Sequence, residues 1–187
     1  MVSTGVINID KPEGLTSMDV VRRIRKITNV RRVGHGGTLD PFASGVLPVA
    51  IGNATRLLEY MLNGDKAYYA EIELGKSTDT YDRSGKQTYM RDPSGVTESH
   101  VKEGLKEFEG DILQIPPMFS ALKSNGKKLY ELARQGIEVQ REARKVIVSR
   151  VELIDFKNPF LHIRISCGKG FYVRSLAHDL GNHLGCG

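Results

Sequence analysis

Cysteine is almost missing from this chain of 187 residues, which holds two, Cys167 and Cys186. A pair so placed cannot build a disulfide scaffold, and without a C-x-x-C there is no zinc or redox motif of that kind. Long apolar runs are missing as well: none approaches the roughly 20 residues that a membrane-spanning helix needs. The opening, MVSTGVINIDKPEG, has neither the basic region nor the long apolar stretch of a secretory signal. These absences exclude a disulfide-stapled secreted domain and a helical membrane protein, and a cytoplasmic location is expected. Ligand patterns are incomplete too. Gly75-Lys76-Ser77-Thr78 lacks the earlier glycine of a phosphate-binding P-loop, because that position is Ala70. Asp79 and Asp82 lack the alternating oxygens of a calcium loop. His178 and His183 are five apart, the wrong helical spacing for two ligands. No metal and no nucleotide cofactor is expected.

What is present is ordinary in amount and uneven in place. The 40% hydrophobic and 26% charged residues are ordinary globular proportions, and the length suits one large domain or a domain plus an appendage, able to bury roughly 70% of its unfolded surface. The formal charge is +5. Arg22–Arg32 (RRIRKITNVRR) holds six cations and no anion, and Lys123–Lys145 adds seven cations against three anions. These two stretches carry +10 between them, leaving −5 on the remainder. A single charge run usually means a solvated face, but two on an otherwise acidic body suit a phosphate-rich partner.

Local patterns predict an α+β fold with a largely antiparallel sheet. Gly5–Asp10 reads as a strand, and Thr16 or Ser17 caps a helix with Val20, Val21, Ile24 and Ile27 on one face. Val46–Gly52 reads as a buried strand, followed by a short helix over Ala54–Leu62. From Tyr69 to Leu74, apolar residues alternate with glutamates in the period of a half-buried strand. Thr97 caps a helix carrying Val101, Leu105 and Phe108, stopped by Gly110. Lys145–Phe156 and Phe160–Cys167 form a strand pair, and a last helix turns Val173, Leu176, Leu180 and Leu184 inward. Gln114–Gln140 lacks core periodicity apart from a helical turn near Leu129–Ala133, and ordering on a ligand would be its simplest use.

The densest information lies in Val33–Arg56, VGHGGTLDPFASGVLPVAIGNATR. Its glycines let a ligand approach the backbone. Pro41 biases Asp40 toward an extended conformation, so that a carboxylate and the His35 imidazole share one constrained loop. An isolated Asp-Pro is usually no more than a turn. Here the segment G-H-x-G-x-L-D-P-x-A-x-G-V-L-P resembles the catalytic motif of the TruB family of RNA pseudouridine synthases. Gly5–Thr16 (GVINIDKPEGLT), Asp65–Tyr69 with LGKSTDTYD at Leu74–Asp82, and Lys169–Gly181 (KGFYVRSLAHDLG) resemble that family's other motifs, in order and with matching spacing. Met118–Gly136 is similar to the RNA-gripping insertion of the bacterial tRNA enzymes.

The resemblance implies a pseudouridine synthase fold and isomerisation of the T-loop uridine of tRNA, conventionally numbered 55, with base flipping and no cofactor. It makes Asp40 the essential aspartate, Arg174 the arginine that pairs with it, and Tyr68 the tyrosine stacked on the target uracil. His35 matches a residue that contacts the displaced T-loop bases. Tyr172 and Lys11 correspond to pocket residues, and Asp82 to an acidic position beside the site. The insertion, 114–145, would grip RNA through Lys123, Lys127, Lys128, Arg134, Arg141 and Arg144, with Arg22–Arg32 helping. The expected partner is the tRNA T stem-loop, bound by a monomer with no obligate protein partner and no membrane. A catalytically silent tRNA-binding or tRNA-folding module is the alternative, disfavoured by the intact Asp40, Tyr68 and Arg174. Gly36 stands where relatives commonly carry Thr, an expected source of loop freedom. Relatives continue past Gly187, so the chain is expected to be an incomplete catalytic domain, with the usual C-terminal RNA-binding domain absent.

Overall fold

The computed structural model describes residues 4–187, whose contacts divide the chain into two units, Met1–Gly64 and Asp65–Gly187. The first begins with β1 (Gly5–Lys11) and α1 (Ser17–Thr28), continues through β2 (Val33–His35) and β3 (Gly45–Ile51), and ends with a 3₁₀ turn (Gly52–Leu57) and α2 (Leu58–Asn63). Its three-stranded sheet has the order β1-β3-β2, with both pairs antiparallel. Helix α1 starts where Thr16 and Asp19 exchange side-chain-to-backbone bonds in a capping box. Val20 and Val21 from α1 join Val33, Leu47, Val49 and Ile51 in the core, with Ile24 packed beside them.

Two details depart from the predicted pattern. Ile27 is 78% exposed, because the left-handed Asn29 turns the chain at the end of α1 and Val30 packs against the core instead. The helix expected over Ala54–Leu62 is split, with its first half wound as 3₁₀.

The second unit holds a four-stranded antiparallel sheet in the order β4-β11-β10-β7. In chain order its elements are β4 (Lys66–Glu73), β5 (Lys76–Thr78), β6 (Gln87–Met90), α3 (Glu98–Lys106), β7 (Gly110–Gln114), β8 (Lys123–Ser124), β9 (Lys127–Lys128), α4 (Leu129–Arg134), β10 (Arg144–Lys157), β11 (Phe160–Cys167) and α5 (Val173–His183). Leu161, Ile163 and Ile165 of β11 are fully buried, as are Leu176 and Leu180 of α5, and each such side chain contributes about 1.5–3 kcal/mol. Gly75 turns tightly at φ +97 between β4 and β5, and a Cβ there would meet Pro93 at 2.9 Å. The Gly-Lys-Ser-Thr stretch thus leads into a strand, not the helix of a P-loop.

The basic insertion differs from the expectation of order on a ligand, since it has a small core of its own. Met118, Leu129 and Leu132 are buried there with Phe119, Leu122, Ala133 and Val139 around them. Asn125 and Gly126 at positive φ form the two-residue turn that joins β8 to β9, the geometry that Asn-Gly favours.

Candidate active site and RNA surface

The first unit fixes the loop that carries Asp40 through the residues on either side of it. On one side, the buried Ser17 hydroxyl accepts from Leu39 N at 2.9 Å and donates to Leu39 O at 3.1 Å. On the other, Pro41 O accepts from Gly14 N at 2.8 Å and from Lys11 Nζ at 3.4 Å. Lys11 is fully buried, and its ammonium also donates to Leu15 O at 2.8 Å and Pro12 O at 3.0 Å. Burial lowers the Lys11 pKa, while the charges of Asp40 and then Glu13 oppose that shift. A buried ammonium needs such compensation, so the motif lysine is a brace between the β1 turn and the Asp40 loop, with Asp40 as a favourable counter-charge. Ala43 N donates to Asp40 O at 3.1 Å and closes the turn.

His35 ends β2 opposite Val49, and its buried Nδ1 has no hydrogen-bond partner among the described residues. Gly36 behaves otherwise than the loop-freedom reading expected. It is a close-approach position, where a Cβ would meet Met61 Cβ at 3.1 Å and Pro48 Cβ at 3.5 Å. A Thr there requires α2 or β3 to move.

The second unit fixes Arg174 differently, by using its side chain as a tie. The residue is only 8% exposed, so it is not a surface arginine of the first helical turn. Its guanidinium donates to Thr80 O at 3.0 Å and Phe119 O at 2.9 Å, and lies 3.8 Å from Asp82 Oδ2. Asp82 Oδ1 in turn accepts from Thr80 Oγ1 at 2.8 Å and Ser84 N at 2.9 Å. One side chain thus joins α5, the acidic loop after β5 and the root of the insertion. Tyr172, immediately before α5, is held by the buried Gln114, whose amide accepts from Tyr172 N at 2.8 Å and donates to Tyr172 O at 3.0 Å. Ser175 Oγ donates to Ile115 O at 2.7 Å. Tyr68 lies on the inward side of β4, opposite Ile165 and packed against the core.

Ser17, Gln114 and Ser175 are the positioning residues that sequence reasoning missed. Each acts on backbone atoms, which no spacing rule marks; only Ser17 had a hint, as a second hydroxyl at a cap that needs one.

Among the cations of the insertion, Lys123, Lys127, Arg134 and Arg144 are exposed. Lys128 Nζ lies 5.4 Å and Arg134 Cζ 5.5 Å from the Tyr130 ring centre, an aromatic face flanked by two positive charges. Arg141 departs from its expected place on the gripping surface. Its side chain is 14% exposed and is spent on Pro116 O at 3.1 Å and Glu138 Oε1 at 3.3 Å, so it braces the insertion from inside. Among the described residues no group of histidine, cysteine and carboxylate side chains could hold a metal ion, and no helix is long and apolar enough to cross a membrane. Burial raises both thiols, Cys167 to about 11, which leaves them poor nucleophiles.

Comparison with known proteins agrees with this layout. The model of the TruB family pseudouridylate synthase N-terminal domain matches residues 25–173. A tRNA pseudouridine synthase B of Dehalococcoides mccartyi is 52% identical over 98% of this chain and 61% of its own length. That of Clostridium acetobutylicum is 51% identical over 98% of this chain and 63% of its own. The chain therefore spans about six-tenths of the length of these curated relatives. Among solved structures, one described as a Cbf5-Nop10-Gar1 complex superposes with a TM-score of 0.75 at 37% identity, covering 99% of this chain and 46% of that one. With motifs, fold and sequence in agreement, the chain belongs to the TruB family of pseudouridylate synthases.

Proposed function

We propose that this chain carries the catalytic machinery for converting the T-loop uridine 55 of tRNA to pseudouridine, with Asp40 as the essential carboxylate. The observation that carries this reading is the bracing of the Asp40 loop by Ser17 at Leu39 and by Gly14 and Lys11 at Pro41. A reacting carboxylate must be held within a fraction of an ångström, and this double anchorage supports such a hold.

In the reaction the N1–C1′ bond breaks, the uracil turns over, C5 bonds to C1′, the C5 proton is released and N1 takes up a proton. Substrate and product contain the same atoms at the same redox level, so neither a redox cofactor nor a group donor is required. Asp40 starts the reaction by attack at C1′, by attack at C6 or by assisting glycal formation. The motif resemblance assigns Tyr68 to the uracil face and the C5 proton, and Arg174 to the same reaction. A uridine inside a folded loop must leave its stack first. The unpartnered Nδ1 of His35 is a polar atom suited to the bases displaced in that step. Lys123, Lys127, Lys128, Arg134 and Arg144, with the Arg22–Arg32 stretch, supply the phosphate grip.

The experiment is tritium release from uracil C5 in a T-arm stem-loop, run on the unmodified chain and on Asp40→Asn. The Asn variant is expected to lose product at least about a thousandfold while binding the stem-loop within several-fold. Substantial turnover by that variant would remove Asp40 from its role.

A further inference from the structure

Tyr81 sits between two contacts of Arg174, and the mechanism gives it no use. Thr80 O and Asp82 Oδ2, on its two sides, meet the guanidinium at 3.0 and 3.8 Å. Tyr81 itself adopts φ +60, a left-handed conformation that a bulky side chain keeps only when its surroundings hold it there. The ring of His178 holds it: the two ring centres are 3.9 Å apart and the planes 6° from parallel. His178 lies four residues after Arg174 on α5, so helical geometry sets imidazole and guanidinium side by side against the same loop.

The next turn of α5 steadies the imidazole, with Asn182 Nδ2 lying 3.1 Å from His178 Nε2. Burial, and then the charge of Arg141, lowers the His178 pKa, so the ring stacks in its neutral form. Its Nδ1 is buried without a partner among the described residues. The imidazole is thus kept here for its flat face more than for its hydrogen bonds.

We propose that the Tyr81–His178 stack is a positioning device for Arg174, locking the 80–82 turn so that the Thr80 carbonyl and the Asp82 carboxylate converge on the guanidinium. Neither ring is assigned a contact with substrate. Without the stack, Tyr81 relaxes to negative φ, and the carbonyl before it and the carboxylate after it no longer converge. The role of the stack in turnover rests on the reading of Arg174 as part of the pseudouridine machinery.

The test compares His178→Ala, which removes the ring, with His178→Phe, which keeps a flat ring and removes both nitrogens. In the unmodified chain the Arg174 guanidinium protons are expected as separate, slowly rotating signals in nitrogen-15 NMR. His178→Ala should merge them and lower kcat about tenfold with KM within twofold, and His178→Phe should restore both. A kcat and guanidinium signals unchanged in His178→Ala would overturn the proposal, and so would failure of a folded His178→Phe to restore them. Should His178→Ala not fold, Tyr81→Ala removes the stack from its other side under the same criteria. An unmodified chain that makes no pseudouridine would sink the functional reading alone, since the guanidinium signals still decide what the stack does.

Discussion

The loop around Asp40 and the start of α5 around Arg174 are both immobilised, but by opposite means. In the first unit the anchors act on backbone atoms of Leu39 and Pro41, supplied by Ser17, Gly14 and Lys11. In the second, the functional side chain is itself the anchor, because Arg174 ties Thr80 O, Phe119 O and Asp82 together. Scaffold and chemistry are separable at Asp40 and fused at Arg174. Changing the carboxylate should therefore test the reaction, whereas changing the guanidinium tests reaction and folding at once.

The largest expected effect breaks the fused case. Arg174→Ala leaves two carbonyls unpaired and a buried Asp82 without its cation, a loss of about 3–5 kcal/mol. Urea denaturation measures it, against a smaller loss of about 1 kcal/mol for the isosteric Asp40→Asn, which keeps the backbone anchors and removes only the counter-charge of Lys11. Equal stability losses in the two variants would erase the distinction.

The separable case breaks one step away from the reacting group. Ser17→Ala removes the hydroxyl that both accepts from Leu39 N and donates to Leu39 O, at a cost of about 1–3 kcal/mol. Because Asp40 stays in the chain, turnover should fall through position: kcat drops while stem-loop binding is kept. A Ser17→Ala variant with normal kcat would show that the Leu39 anchor serves stability alone.

Sequence patterns reached the elements and the named site residues unevenly, for physical reasons. Strands such as β11, whose Leu161, Ile163 and Ile165 are fully buried, were legible because alternation in sequence is alternation in space. The first helix was legible except at Ile27, where the left-handed Asn29 ends the stripe, a change of direction that helical period alone does not carry. The insertion hid its core because Met118, Leu129 and Leu132 are too few and too irregularly spaced for a period to emerge. Asn125-Gly126 was nevertheless a readable turn. Arg141 was misplaced because charge says nothing about which cation a fold keeps for its own carbonyls. Gln114 was invisible, and the role of Ser17 hidden behind its reading as a cap, because their partners are backbone atoms far along the chain.

The smallest effect concerns an acid on the same helix as Arg174. Asp179 is half-buried, and burial raises its pKa from 3.8 to about 6. No hydrogen bond or ion pair among the described residues offsets that burial, whereas the buried Arg174 has Asp82. A carboxyl whose folded pKa lies above its unfolded value binds its proton more tightly in the native state. It costs nothing below the unfolded pKa, and its destabilisation grows as pH rises toward about 6 and is complete above it. Asp179→Asn removes the charge at every pH. It should stabilise the chain by about 1–2 kcal/mol at pH 8, after allowance for partial exposure, and by roughly half of that at pH 5. Paired urea titrations at the two pH values measure the difference. A gain of the same size at both would mean that packing, not charge, is responsible, and no gain at pH 8 would mean that α5 carries Asp179 as easily as it carries Arg174.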